Sequence, residues 1–156
     1  MARTSASLQS LQERLASSTQ VAALAVDYRA GHAFSQALQA RIDEAGVPDL
    51  VLAWIHDASI ALRLAAQLAA YGQPLDFFHV LGSASASPNA SLAQQRMAYD
   101  AMPALSYHQL VLGFVCEGPD SRWLDHDEIV QGVRHAIQAG DACQVIGVVE
   151  PWARRP

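Results

Sequence analysis

Hydrophobic positions in this chain change between two spacings from one end to the other. Apolar residues recur every three or four positions over residues 5–18, 34–45, 58–71 and 91–102, and again after residue 125, which predicts five amphipathic helices. Continuous apolar runs over residues 21–26, 49–56, 75–81, 107–116 and 144–149 predict five buried strands. Helices between successive strands indicate a parallel sheet with right-handed crossovers. The fold class expected is α/β, a three-layer Rossmann-like parallel sheet of about five strands.

The boundaries of these elements carry their own signals. Gly46 and Pro48 end the second helix, and Gly72 lies just beyond the third. Asp125 and Glu128 have the spacing of a capping box at the start of the last helix. Because the chain has no internal repeat and no long linker, residues 1–156 are expected to form a single domain.

Composition removes several classes of protein. With 51% hydrophobic and 16% charged residues, the 156-residue chain is not disordered as a whole. A net charge of −5 argues against a nucleic-acid partner, and no apolar run reaches the length of a membrane span. The two cysteines, Cys116 and Cys143, fit neither a disulfide framework nor a thiolate zinc site. We therefore expect a soluble cytoplasmic protein without a bound metal.

All ten basic residues are arginine. Without lysine the chain cannot form a Schiff base or supply a P-loop lysine. Arginine cannot replace lysine as a proton relay, because its pKa stays above about 12. The adjacent pairs Arg122-Trp123 and Arg154-Arg155 could bind an anion or a carboxylate, although most such pairs are simply solvated.

The ends of three predicted strands carry a resemblance to a known family. The segments at residues 26–29, 49–56 and 78–83, read as VDYR, DLVLAWIH and FHVLGS, resemble successive strand ends of the short-chain dehydrogenases/reductases. Residues 121–124 (SRWL) and the C-terminal tail around Pro151-Trp152 are similar to a divergent bacterial group of that family. The resemblance covers roughly residues 20–156.

The resemblance implies binding of NAD or NADP and places candidate residues. Asp27 matches the acidic residue beside the adenine. Trp54, Ile55 and His56 stand where the family has its Asn-Asn-Ala-Gly turn. Ser83 matches the position of the catalytic serine.

The catalytic pair of the family is not reproduced. Tyr99 is the candidate tyrosine, but the residue four positions later is Pro103 rather than lysine. Since the lysine lowers the pKa of the tyrosine from about 10, Tyr99 alone would be a weak base near neutral pH.

A second departure lies at the N-terminus. The first strand, the glycine-rich turn and the helix that receives the pyrophosphate have no counterpart here, so the resemblance implies an N-terminally truncated member of the family. The strand at 21–26 would then have to pair with 49–56, with another molecule, or with residues upstream of this chain. Because open sheet edges recruit partners, we expect a homo-oligomer, with a dimer as the simplest case.

Two histidines lie near the carboxyl ends of neighbouring predicted strands. His56 and His79, with Asp57 and Ser83, could form a general-base site or half of a metal site. The alternative is that both histidines are hydrogen-bonded, partly buried residues that shape the crevice. Ser83 lacks the closing glycine of a nucleophile elbow, which argues against a hydrolase.

Two functions remain open from the sequence. One is a short-chain dehydrogenase-like oxidoreductase of unknown substrate, impaired or inactive as this chain, with Ser83, His56, His79 and Tyr99 as candidate catalytic residues. The other is a non-catalytic α/β module that binds a small-molecule ligand or a partner and dimerises through an exposed sheet edge. A hydrolase or metalloenzyme is a distant third.

Overall fold

The computed structural model describes residues 4–87 and 91–156, which divide into two compact units at residues 47 and 48. The N-terminal unit contains helix α1 (Ser5–Leu15), a 3-10 turn (Tyr28–Ala30) and helix α2 (His32–Ala45). Gly46 ends α2, as predicted, with a positive φ of 83°.

The strand predicted at residues 21–26 does not form, and only Ala25 makes a single β-bridge. None of these six residues is buried, and three of them are alanine, which has a low preference for strands. An apolar run becomes a strand only where a neighbouring strand accepts its hydrogen bonds. The prediction of a fifth strand in the parallel sheet was therefore wrong for this segment.

The C-terminal unit is built on a parallel sheet, which confirms the α/β class. Its elements are β1 (Leu50–Ala53), α3 (Ala58–Ala69), β2 (Leu75–Gly82), α4 (Leu92–Asp100), β3 (Leu105–Leu112), β4 (Phe114–Glu117), β5 (Asp120–Trp123), α5 (His126–Ala139) and β6 (Cys143–Ile146). In the described residues, four strands lie in the order β1, β2, β3, β6, and every neighbouring pair is parallel. An antiparallel hairpin of β4 and β5 separates β3 from α5.

The strand predicted over residues 107–116 is divided at Gly113. A Cβ on Gly113 would overlap the carbonyl of Val148, so only glycine allows the chain to cross so closely there. Phe114 then leaves the parallel sheet, pairs with Val148 and begins the hairpin. The loop predicted over residues 83–90 opens with a 3-10 turn (Ser83–Ala86), and its last three residues lie outside those described.

Helices cover both faces of the sheet and give it three layers. Val133 and Ala136 of α5 pack on Phe78, Val80 and Leu110. Alternate residues of a strand point to opposite faces. The rings of Phe77, His79 and Tyr107 therefore lie on the other face, where Tyr99 of α4 packs against them.

This arrangement corrects the prediction that every crossover is right-handed. The chain steps from β2 to β3 and from β3 to β6 in the same direction across the sheet. Because α4 and α5 lie on opposite faces, these two crossovers have opposite hands. The second of them includes the β4–β5 hairpin, which adds a long excursion before α5 returns to the sheet.

The predicted capping box is present at the start of α5. The Asp125 side chain accepts a hydrogen bond from the Glu128 amide, and the Glu128 carboxylate accepts one from the Asp125 amide. Within the described residues, no helix has the length and apolar character needed to cross a membrane.

Candidate functional site

A cleft of about 330 Å³ opens beyond the carboxyl ends of β2 and β3. Ligands of open α/β sheets bind at this edge, outside the carboxyl ends of the strands. Ser83 enters the cleft because it directly follows β2, and Gly113 does so because it directly follows β3. The remaining lining residues come from the end of β2, the 3-10 turn after it, the end of β3, the hairpin and the residue that follows it, α5 and the C-terminal tail: Gly82, Ala84, Leu112, Trp123, Leu124, Ile129 and Arg155.

The polar end of this cleft consists of Ser83 and Arg155. Ser83 is buried, with 5% of its surface exposed, and its Oγ accepts a hydrogen bond from Nε of Arg155 at 2.8 Å. The Arg155 guanidinium lies over two indole rings, 4.9 Å from the centroid of Trp123 and 5.3 Å from that of Trp152. Each contact of this kind contributes about 0.5–1 kcal/mol at an exposed site. The two indoles and the serine together hold the guanidinium in one orientation.

The C-terminal tail is held against the hairpin by the preceding arginine. Nη2 of Arg154 donates hydrogen bonds to the carbonyl oxygens of Gly118 and Asp120, the second at 2.7 Å. The hydroxyl of Ser121 donates to the carbonyl of Arg154. Arg154 thus has a structural role, and it delivers Arg155 to the cleft.

Arg122 joins the hairpin to the start of α5. Its Nη1 and Nη2 donate to the two carboxylate oxygens of Glu128 at 2.9 and 3.0 Å, and its Nε donates to Glu117 at 2.6 Å. The Arg122 guanidinium lowers the pKa of Glu128 to about 2, and the hydrogen bond from the Asp125 amide adds to this effect. These two carboxylates already have a cationic partner.

A separate buried network lies on the α4 face of the sheet. His79, with 2% of its surface exposed, forms hydrogen bonds through Nε2 with the Ile55 carbonyl at 3.1 Å and through Nδ1 with the Tyr107 hydroxyl at 3.0 Å. Since a carbonyl can only accept, Nε2 carries the proton, and the Tyr107 hydroxyl donates to Nδ1. The ring of Tyr99 stacks on that of Tyr107, with centroids 3.8 Å apart and planes 4° apart.

Burial shifts each titratable group of this network toward its neutral form. Desolvation lowers the pKa of His79, against the smaller raising effect of the Ile55 hydrogen bond. Desolvation raises the pKa of Tyr99 and raises that of Tyr107 further, with the neighbouring Tyr99 adding to the second shift. At neutral pH the network holds neutral groups with satisfied hydrogen bonds.

The predicted site residues do not meet in one place. Ile55, His79 and Tyr99 come together in the buried network, whereas Ser83 belongs to the cleft with Arg155. Ile55 takes part through its backbone carbonyl, not its side chain.

The other predicted residues lie elsewhere. Trp54 is half-exposed, and His56 is exposed and forms no hydrogen bond or ion pair with any residue that the structure describes. Asp27 belongs to the N-terminal unit, where its carboxylate accepts a hydrogen bond from the Arg29 amide and caps the 3-10 turn. Over residues 4–87 and 91–156, no three His, Cys, Asp or Glu side chains are grouped so that they could hold a metal ion.

Sequence reasoning undervalued Arg155 and Trp123. Both belong to pairs that it named as possible anion sites, but neither pair was connected to Ser83. The missing information is the path of the hairpin and tail, which brings residues 72 positions apart into a hydrogen bond.

Comparison with known proteins gives this chain no relative. No protein-family model matches it, and no curated protein and no solved structure is significantly similar to it.

Proposed function

We propose that this chain is a divergent short-chain dehydrogenase-like α/β domain that binds a small molecule without transforming it. The observation that carries the proposal is the cleft at the carboxyl edge of the sheet, which has a polar end and an apolar wall. The groups that could move protons, His79, Tyr99 and Tyr107, lie in the separate buried network, where both ring nitrogens of His79 already have hydrogen-bond partners. Ligand binding needs only the cleft, whereas catalysis needs the cleft and the proton-transferring groups in one place.

The tyrosine offers little support for proton transfer. Only 4% of the Tyr99 surface is exposed, its ring is stacked on Tyr107, and its pKa is raised. A catalytic tyrosine needs the opposite environment, with a nearby cation that favours the phenolate. Arg96 lies over the ring of Tyr107 at 5.7 Å, but it donates to the Ala142 carbonyl and pairs with Asp100 at 3.1 Å.

The competing proposal is the NAD- or NADP-dependent oxidoreductase that the resemblance implies. Ser83 favours it, because this residue follows a strand end and reaches the cleft. In that case NADPH or NADH would bind, and turnover of a carbonyl substrate would depend on Tyr99.

The experiment compares nicotinamide nucleotides with small single-ring probes by calorimetry. We expect no heat from NADPH or NADH, and measurable binding of at least one of benzoate, benzamide and benzyl alcohol. Ala84→Phe should abolish that binding, because Ala84 lines the cleft. Ala101→Phe, which places the same ring on an exposed residue at the other end of the sheet, should leave it unchanged.

Two results would contradict the proposal. One is tight binding of NADPH with hydride transfer that Tyr99→Phe removes. The other is binding of the single-ring probes that Ala84→Phe does not reduce.

We also propose that the protein is a cytoplasmic homo-oligomer. Cys116 and Cys143 are free thiols, which suits a reducing compartment. Strand β1 ends the described sheet and exposes 41% of Leu50 and 47% of Leu52. Light scattering should give a multiple of the chain mass that Leu52→Glu reduces to one copy; a monomeric parent protein would contradict the oligomer.

A further inference from the structure

We propose that the cleft recognises a carboxylate on a small apolar ligand, and that Arg155 is the residue that binds it. This inference rests on the proposed binding function and adds the chemical class of the ligand. It assigns a binding role to a residue of the C-terminal tail that lies 72 positions after Ser83 in the chain.

The first support is a set of hydrogen-bond donors without acceptors. Nε of Arg155 donates to Ser83, but Nη1 and Nη2 have no acceptor among the residues that the structure describes. The Ser83 hydroxyl accepts this bond, so its own proton also lacks an acceptor in the described part of the chain. Only 5% of the Ser83 surface is exposed, so bulk water does not readily accept a hydrogen bond from that proton. Arg155 is exposed, so water reaches Nη1 and Nη2, and these donors are free to turn to a ligand that supplies acceptor atoms.

The second support is charge. No carboxylate lies within 4.0 Å of the Arg155 guanidinium in residues 4–87 and 91–156. Two glutamates of the hairpin and of the start of α5, Glu117 and Glu128, are paired with Arg122. Glu150, close to Arg155 in the chain, accepts a hydrogen bond from the Trp152 amide. Arg155 therefore forms no ion pair with a carboxylate of the described residues, and its positive charge lies at the mouth of the cleft.

The third support is geometry. The indoles of Trp123 and Trp152 contact the guanidinium while Ser83 takes Nε, so the outer pair of nitrogens is presented as a fixed fork. Such a fork matches the two oxygens of a carboxylate, and pre-orientation reduces the entropy lost on binding. One cation compensates one negative charge, which favours a carboxylate over a phosphate dianion.

The remaining wall defines the rest of the ligand. Leu112, Leu124 and Ile129 are partly buried apolar residues, and Trp123 is 46% exposed beside them. The volume of about 330 Å³ lies at the small end of ligand sites, which range over roughly 300–1,000 Å³. A single-ring or short branched carboxylate suits this wall, and a whole dinucleotide does not.

The experiment measures the affinity of the whole chain for three single-ring probes: the isosteric pair benzoate and benzamide, and the larger phenyl phosphate. We expect benzoate to bind at least about tenfold more tightly than benzamide, because a bidentate hydrogen bond between two charged groups is stronger than one between an arginine and a neutral amide. Arg155→Met should remove this preference, and Arg155→Lys should restore only part of it because lysine keeps the charge without the fork. Arg134→Met, at an exposed arginine with no partner among the described residues, is the matched control and should change nothing.

The outcomes separate this inference from the proposed function. Equal affinity for benzoate and benzamide, with both affinities lost in Ala84→Phe, would refute carboxylate recognition by Arg155 but would still support ligand binding in the cleft. Tighter binding of phenyl phosphate than of benzoate would refute the carboxylate as the preferred group and would indicate a phosphate ligand instead. Absence of binding by all three probes would overturn the carboxylate inference, and absence of binding by benzyl alcohol as well would overturn the proposed binding function. The comparison of probes on the parent chain needs no variant, so misfolding of Arg155→Met cannot mask the result.

Discussion

Removal of one buried hydroxyl tests the interpretation of the His79 network. In Tyr107→Phe the ring still stacks on Tyr99, but Nδ1 of His79 loses its donor at 3.0 Å. His79 is 2% exposed, so water does not replace that donor at the surface. An orphaned buried acceptor costs about 1–3 kcal/mol. For a chain of this length each kcal/mol lowers the Tm by about 2–4 °C, which gives a decrease of roughly 2–12 °C.

The assay is thermal and urea unfolding of Tyr107→Phe beside Tyr71→Phe. Tyr71 is exposed over 37% of its surface, so its hydroxyl is solvated, and its removal should change stability by less than about 0.5 kcal/mol. In a His79→Leu background the cost of Tyr107→Phe should fall by about 1 kcal/mol, because the acceptor is already absent. Equal stability of the two Tyr→Phe variants, or an unchanged cost in the His79→Leu background, would refute the network as described.

Three further predictions follow from other contacts. The folded-state pKa of His79 is lowered, so its contribution to stability is complete above the unfolded pKa of about 6.5 and is lost as the pH falls below that value. Urea unfolding between about pH 7.5 and 5.5 should show this loss as a decrease in the free energy of unfolding. The dependence of that free energy on pH should be weaker in His79→Leu, and an equally strong dependence would contradict the prediction. Gly132→Ala should lower the free energy of unfolding by about 1 kcal/mol, because the new Cβ overlaps the side chain of Ile146 and this overlap outweighs the higher helix propensity of alanine. A more stable variant would show that α5 does not pack so closely on β6. Arg122→Met should raise the Glu128 pKa from about 2, but not to its ordinary value, because the hydrogen bond from the Asp125 amide to the Glu128 carboxylate remains. An unchanged Glu128 titration by NMR would show that Arg122 does not pair with Glu128.

The sequence pattern predicted the sheet and its helices because their signals are local. The apolar run of β2 is buried over almost its whole length, and the observed strand, Leu75–Gly82, agrees with the predicted range of 75–81 within one residue. The capping box of α5 depends on two residues three positions apart, and both of its hydrogen bonds are present. The segment at 21–26 failed because an apolar run does not reveal whether a neighbouring strand exists.

The sequence pattern could not predict the division of the strand at Gly113 or the opposite hands of the two crossovers, for the same reason. Both depend on where a distant segment passes: the Val148 carbonyl beside Gly113, and α5 on the face opposite α4. Periodicity reports which residues are buried and not which face of the sheet a helix covers.

The candidate site was predicted only in part. Ser83 was placed correctly at a strand end by its position after an apolar run, and it lines the cleft. His79 was open to two interpretations, a general base or a hydrogen-bonded buried residue, and the structure supports the second through Tyr107 and the Ile55 carbonyl. Arg155 could not be ranked above other arginines, because its role depends on a contact with a serine 72 residues away.

The most direct test of the binding cleft is an amide and side-chain NMR titration with benzoate. The account predicts the largest shifts at the Ser83, Ala84 and Gly113 amides and at the Nε–H groups of Trp123 and Arg155, with saturation at one shared affinity. Shifts centred instead on His56, or spread without saturation over the surface, would contradict the assignment of this cleft as the ligand site.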